Sequence, residues 1–129
     1  MSGAFIYVGT MTIKPGKLEE ARKNLSELVD FFETNEPRTI AYHAFLDEEG
    51  GRLTSVHVHP DSASMEFHME VAAKHFTTAF DYIDKVVSEQ YYGPVSDGLA
   101  AELAKWDDPN VSVIRMPVHV GGFTRTSIR

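Results

Sequence analysis

Apolar positions along the chain alternate between a two-residue spacing and a three-to-four-residue spacing, and the switches mark its elements. Residues 4–13, AFIYVGTMTI, are rich in β-branched and aromatic side chains and run into Lys14-Pro15-Gly16, which predicts a first strand ending at that turn. From Leu18 the apolar positions Leu18, Ala21, Leu25, Leu28, Val29 and Phe32 recur at steps of three and four, with Glu19, Glu20, Lys23, Asn24 and Glu27 between them. That spacing predicts an amphipathic helix. Asn35-Glu36-Pro37 stops it, because proline disfavours a helical conformation in the residue before it and cannot continue the ladder.

Residues 38–46 and 52–59 suit two short strands, and Asp47-Glu48-Glu49-Gly50-Gly51 between them predicts a hairpin. Pro60-Asp61-Ser62 then offers a helix start, with Asp61 or Ser62 placed to cap exposed backbone donors. Met65, Met69, Ala72, Phe76, Ala79, Phe80, Ile83 and Val87 form one stripe, so this second helix is expected to reach about Ser88. Tyr91-Tyr92-Gly93-Pro94 reads as irregular, residues 96–106 as a short extra helix with Leu99, Leu103 and Trp106 inward, and residues 111–120 as a last strand. Pro117 removes one ladder donor there, which implies an edge or a bulge.

The order β-α-β-β-α-(short α)-β predicts the α+β class and a ferredoxin-like βαββαβ fold, with both helices on one face of an antiparallel sheet. The first strand is apolar on both sides, Phe5 and Tyr7 on one and Ile6 and Val8 on the other. A second copy is therefore expected to cover the outer face in a symmetric homodimer. No repeat, low-complexity tract or linker interrupts the 129 residues, so a single domain over 1–129 is expected.

Twelve Lys and Arg against 19 Asp and Glu give a net charge of −7 without a basic cluster, which argues against nucleic acid and anionic membrane as partners. The absence of cysteine removes disulfides, thiolate nucleophiles, Cys-based zinc sites and iron–sulfur clusters together. The start, Met1-Ser2-Gly3-Ala4-Phe5-Ile6, lacks the basic and apolar regions of a signal peptide, and no stretch approaches the roughly 18 apolar residues of a membrane span. The expectation is a soluble cytoplasmic chain. No Walker motif, Gly-x-Ser-x-Gly elbow or Ser/His/Asp constellation supports kinase or hydrolase chemistry.

Six histidines are the candidate chemistry, since histidine alone naturally titrates near neutrality. His57 and His59 share a face of the third strand, and His68 and His75 lie seven apart on the second helix, along its apolar stripe. His43 joins the face of His57 and His59 if position 46 pairs with 52; a shift of one residue sends it to the other side. All five are expected to line one pocket between sheet and helix, with Tyr7 or Tyr42 nearby. Each also has a plainer role, as a core histidine bonded once or as a solvated strand end. His57-x-His59 offers two ligands to a metal and needs a third, from His43 or a carboxylate. No His-Glu-x-x-His motif is present, and no metal or cofactor is expected.

A strand ending in Ile13-Lys14-Pro15-Gly16-Lys17, an amphipathic helix, a hairpin, and then Glu66-x-His68 followed by His75-Phe76 resembles the antibiotic biosynthesis monooxygenase-like family of dimeric α/β-barrel proteins. The resemblance covers residues 4 to 88 and the last strand. It implies a ferredoxin-like fold dimerised into a barrel, with a pocket between each sheet and its helices. Members include cofactor-independent monooxygenases acting on phenols or quinols and haem-degrading enzymes. The family's glutamate and tryptophan on strand three are replaced here by His57 and His59. The asparagine and histidine of the haem-degrading branch fall at Gly9 and near Phe80, so haem degradation is not implied.

The expected function is oxidation of a small aromatic substrate by O2 without a cofactor, in an apolar pocket with a base. His59 or His68 is the candidate base. His57 and His75, with His43, would orient it or bind a substrate oxygen, and Tyr7 or Tyr42 would donate a hydrogen bond. A non-catalytic binding or dimerisation module and a His-ligated metal protein are the alternatives.

Overall fold

The computed structural model describes residues 4–125. Strand β1 (Phe5–Ile13) leads through the Lys-Pro-Gly turn, where Gly16 takes φ +80°, into helix α1 (Leu18–Asn35). The helix ends at the residue before Glu36-Pro37, as the proline requires. Strands β2 (Ala41–Asp47) and β3 (Arg52–His59) form the hairpin, and helix α2 (Ser62–His75) follows. The Asp61 carboxylate caps it by accepting from the backbone N–H of Ser64 at 3.0 Å.

α2 is shorter than its apolar stripe predicts. After His75 the chain tightens into a 3-10 turn (Phe76–Asp81) and then extends as strand β4 (Ile83–Tyr92). Ile83, Val86 and Val87 satisfy a helical spacing, but together with Tyr91 and Tyr92 they are strand-favouring side chains, and pairing with β1 decides the conformation. Two register irregularities, between Thr10 and Met11 and between Thr12 and Ile13, disturb the two-residue alternation and hide the strand in the sequence. Tyr91 and Tyr92 thus close the sheet instead of forming an irregular link.

Helix α3 (Asp97–Ala104) starts at Ser96, whose Oγ accepts from the Leu99 N–H, and buries Leu99 and Leu103; Trp106 lies past its end and is 41% exposed. Strand β5 (Ser112–Met116) stops at the residue before Pro117 and occupies an edge. The sheet order is β2-β3-β1-β4-β5, antiparallel through the first four strands, with β5 added parallel to β4. β4, not the strand after α3, therefore completes the ferredoxin-like βαββαβ unit.

Leu46 pairs with Leu53, one residue away from the register that would keep His43 beside His57. Tyr42 stands opposite His57, whereas His43 pairs with Val56 on the outer face, where it is exposed beside Phe45. The inner face packs against the helices in two cores. Phe5, Tyr7, Met65, Tyr91, Leu99 and Leu103 form one; Ile13, Ala21, Leu25, Leu53, Ala79 and Tyr82 form the other. The candidate site lies between them. Among the described residues, no helix is long and apolar enough to cross a membrane.

Candidate active site

A cavity of about 260 Å³ lies between the sheet and helices α1 and α2. Leu25, Leu28 and Phe32 of α1, Met65, Met69 and Ala72 of α2, and Met11, Leu53 and Val86 of the sheet supply its apolar wall. Trp106, Asp108 and Val111, from the segment after α3, also reach it. A dry cavity of about 150 Å³ accommodates one benzene ring, so this one has room for a body of about two rings.

Four of the predicted residues meet at one end. The His57 and His68 rings are 4.4 Å apart and near perpendicular, Tyr42 lies 4.2 Å from His57, and Tyr7 lies 4.8 Å from it on the other side. All four line the cavity. His75, at the last turn of α2, also lines it, with its ring 4.2 Å from that of Phe31. His59 does not. It is fully buried behind His57, its Nδ1 engaged with Ser64 Oγ at 2.8 Å. His43 is absent from this wall because of the hairpin register, so the convergence expected for five histidines is reached by three on the wall and one behind it.

A residue without an obvious motif organises the cluster. Glu36, only 2% exposed, places both carboxylate oxygens 2.9 Å from His68 Nδ1 and accepts a further bond from Thr39 Oγ1 at 3.0 Å. Its position explains this geometry: the residue before Pro37 is driven out of the helix, with φ −125° and ψ 73°, which turns the side chain in toward α2. A carboxylate buried without such partners would be costly. When the His68 Nδ1–H donates to Glu36, the acceptor of a neutral ring is its other nitrogen, Nε2.

The neighbouring histidines are held neutral. Burial first, then the proximity of His68 and His59, pushes the His57 pKa well below its ordinary value; burial and His68 push that of His59 down to about 3. No described protein group hydrogen-bonds to either nitrogen of His57 or to His59 Nε2. Burial raises the pKa of Tyr42, and burial together with the adjacent Glu89 raises that of Tyr7 well above the usual phenol value, so both phenols are donors. Tyr7 donates to Glu89 Oε2 at 2.9 Å. Gly9 makes room for this: a Cβ there would collide with the Tyr7 hydroxyl oxygen.

No three His, Cys, Asp or Glu side chains among the described residues are placed to share a metal ion. His43, the expected third ligand to the His57-x-His59 pair, lies on the opposite face of the sheet.

Solved structures place this architecture. MupZ from Pseudomonas fluorescens superposes with a TM-score of 0.69 at 18% identity, covering 100% of this chain and 94% of its own. An antibiotic biosynthesis monooxygenase, so described provisionally, from Caulobacter crescentus CB15 gives 0.62 at 18% identity over 70% of this chain and 88% of its own. Protein SO0527 from Shewanella oneidensis gives 0.61 at 21% over 71% and 91%. The chain has the fold of the antibiotic biosynthesis monooxygenase-like proteins. The MupZ likeness extends over the elements after β4 as well, so α3 and β5 are part of a shared architecture. No protein-family model matches the sequence, and no curated protein does.

Glu36 and Glu89 escape a motif search. Glu36 carries one signal, a carboxylate directly before a proline at a helix end; Glu89 carries none while β4 is read as the end of a helix.

Proposed function

We propose that the chain is a cofactor-independent oxygenase of small phenol- or anthrone-type molecules, with His68 as the base. The observation that carries this reading is His68 on the wall of a largely apolar cavity, held from behind by the buried Glu36 carboxylate. Glu36 fixes the tautomer, so Nε2 receives the substrate proton, and the positive charge that forms on the ring forms against a carboxylate. Neutral His57 packs between His68 and Tyr42, and the Tyr42 phenol is the donor for the oxygen on which the substrate's negative charge develops. The deprotonated, electron-rich substrate then reduces O2. For an anthrone the balance is ring CH2 + O2 → ring C=O + H2O: carbon loses four electrons, both oxygen atoms gain two each, and the base returns its proton to the departing water. His59, neutral and bonded to Ser64 outside the cavity lining, does not touch the substrate.

The test is oxygen uptake by the metal-free protein with an anthrone and quinol panel. Uptake that falls at least about 100-fold in His68→Ala supports the reading, on the usual worth of a general base. Binding of these compounds without uptake makes the chain a binding module instead, and uptake unchanged in His68→Ala removes the mechanism.

We also propose a homodimer formed through the outer sheet face, where Ile6, Val8, Val56 and Val58 are half-buried and point away from the helices. Light scattering should give twice the 14.4 kDa chain mass, falling to the chain mass in Val8→Glu/Val56→Glu; a monomeric wild type contradicts this.

A further inference from the structure

The cavity has a second polar station, remote from the histidines in its chemistry because it is acidic. Glu89 of β4 lines the cavity. Tyr7 donates to it at 2.9 Å, and the Tyr91 phenol, whose pKa is raised first by burial and then by Glu89, lies beside it. It pairs with no lysine, arginine or histidine among the described residues. A carboxylate offers about four acceptor positions, and the Tyr7 phenol fills one of them. The cavity it lines has Met11, Val86 and aromatic rings among its walls, with Asp108 as a second carboxyl group.

From this we infer that the substrate is bipolar: an aromatic body of about two rings, with the acidic hydroxyl or C–H presented to His68 and a second hydroxyl donated to Glu89. This rests on the proposed role of His68 and adds the substrate's other end. An apolar body alone would leave Glu89 desolvated without return, whereas a donor at that end gains a charge-assisted bond in a low-dielectric space. Recognition of this kind discriminates strongly, because an analogue lacking the donor leaves a buried acceptor unpaired. Gly9 belongs to the same device, since any side chain there would displace the Tyr7 phenol that aims the carboxyl group.

The test is a fluorescence titration with named probes: 2,6-, 2,7- and 1,6-dihydroxynaphthalene against 6-methoxy-2-naphthol, which has the same ring system and one donor fewer. At least one diol should bind about tenfold more tightly than the ether, the effect of one hydrogen bond to a charged group. Glu89→Gln keeps the size of the side chain, and with Tyr7 donating to its single oxygen the NH2 group is what remains for a ligand. The diol-to-ether preference should then fall to about one. Equal binding of all diols and the ether by the wild type, or a preference that survives Glu89→Gln, overturns the inference. His68→Ala separates the two readings: it should weaken diol and ether alike. If His68→Ala changes neither, or if no naphthol binds the wild type, the role of His68 falls and the bipolar substrate falls with it; if binding depends on His68 but ignores Glu89, only the present inference fails.

Discussion

Replacing Glu36 by Gln removes the negative charge behind His68 while keeping the volume of the side chain. In the native protein the carboxylate takes His68 Nδ1 at 2.9 Å to each oxygen and Thr39 Oγ1 at 3.0 Å, in a site 2% exposed. A hydrogen bond to a charged group contributes about 1.5–3 kcal/mol and a neutral one about 0.5–1.5, so the imidazolium form of His68 loses about 1–2 kcal/mol of support. At 1.36 kcal/mol per pH unit this is about one unit in the ionisation of any acid that hands its proton to His68. The assay is the absorbance of bound 4-nitrophenol across pH, which reads phenolate directly. The apparent midpoint of the bound ligand should rise by about one unit in Glu36→Gln relative to wild type, and at least as far in His68→Ala. Thr39→Val leaves the carboxylate charge and its contact with His68 in place and should move it by less than about half a unit. Coincident midpoints in wild type and Glu36→Gln refute the claim that the carboxylate supports a proton on His68.

Three further outcomes follow from the geometry. His57 and His59 both have folded-state pKa values below the unfolded one, so as pH falls past about 6.5 the unfolded chain takes up protons first and stability declines. Each histidine costs about 1.4 kcal/mol per pH unit there, so urea unfolding at pH 5 should show about 3–4 kcal/mol less stability than at pH 7; a loss under about 1 kcal/mol contradicts their neutral burial. Gly9→Ala puts a Cβ on the Tyr7 hydroxyl and should cost about 1–3 kcal/mol by overpacking, with a change in the near-ultraviolet tyrosine signal that an unperturbed Tyr7–Glu89 bond would not produce. Leu99→Ala opens a hole where α3 meets Phe5, Met65 and Tyr91 and should cost about 2–5 kcal/mol in denaturant unfolding; a cost below about 1 kcal/mol means that α3 is not anchored there.

Elements whose side chains kept one period were legible in the sequence: β1, α1 with its stop before Pro37, the β2–β3 hairpin and the start of α2 at Asp61. β4 was not, because its bulged pairing breaks the two-residue alternation, and Ile83 and Val87 continue the α2 stripe by coincidence of spacing. The site divides the same way. His57, His68 and His75 could be placed by parity and helical phase, whereas His43 depended on a hairpin register that the loop residues leave open by one. Glu36 and Glu89 act through partners 32 and 82 residues away in sequence, and no local pattern carries such pairings.

Nitrogen-15 NMR of the histidine side chains, recorded with and without bound 4-nitrophenol, bears most directly on the proton acceptor. The account predicts one ring, His68, with Nδ1 protonated and Nε2 bare in the free protein, becoming imidazolium when the ligand binds, while His57 and His59 stay neutral. A His68 that remains neutral in the complex, or a proton that appears on His57 instead, contradicts it.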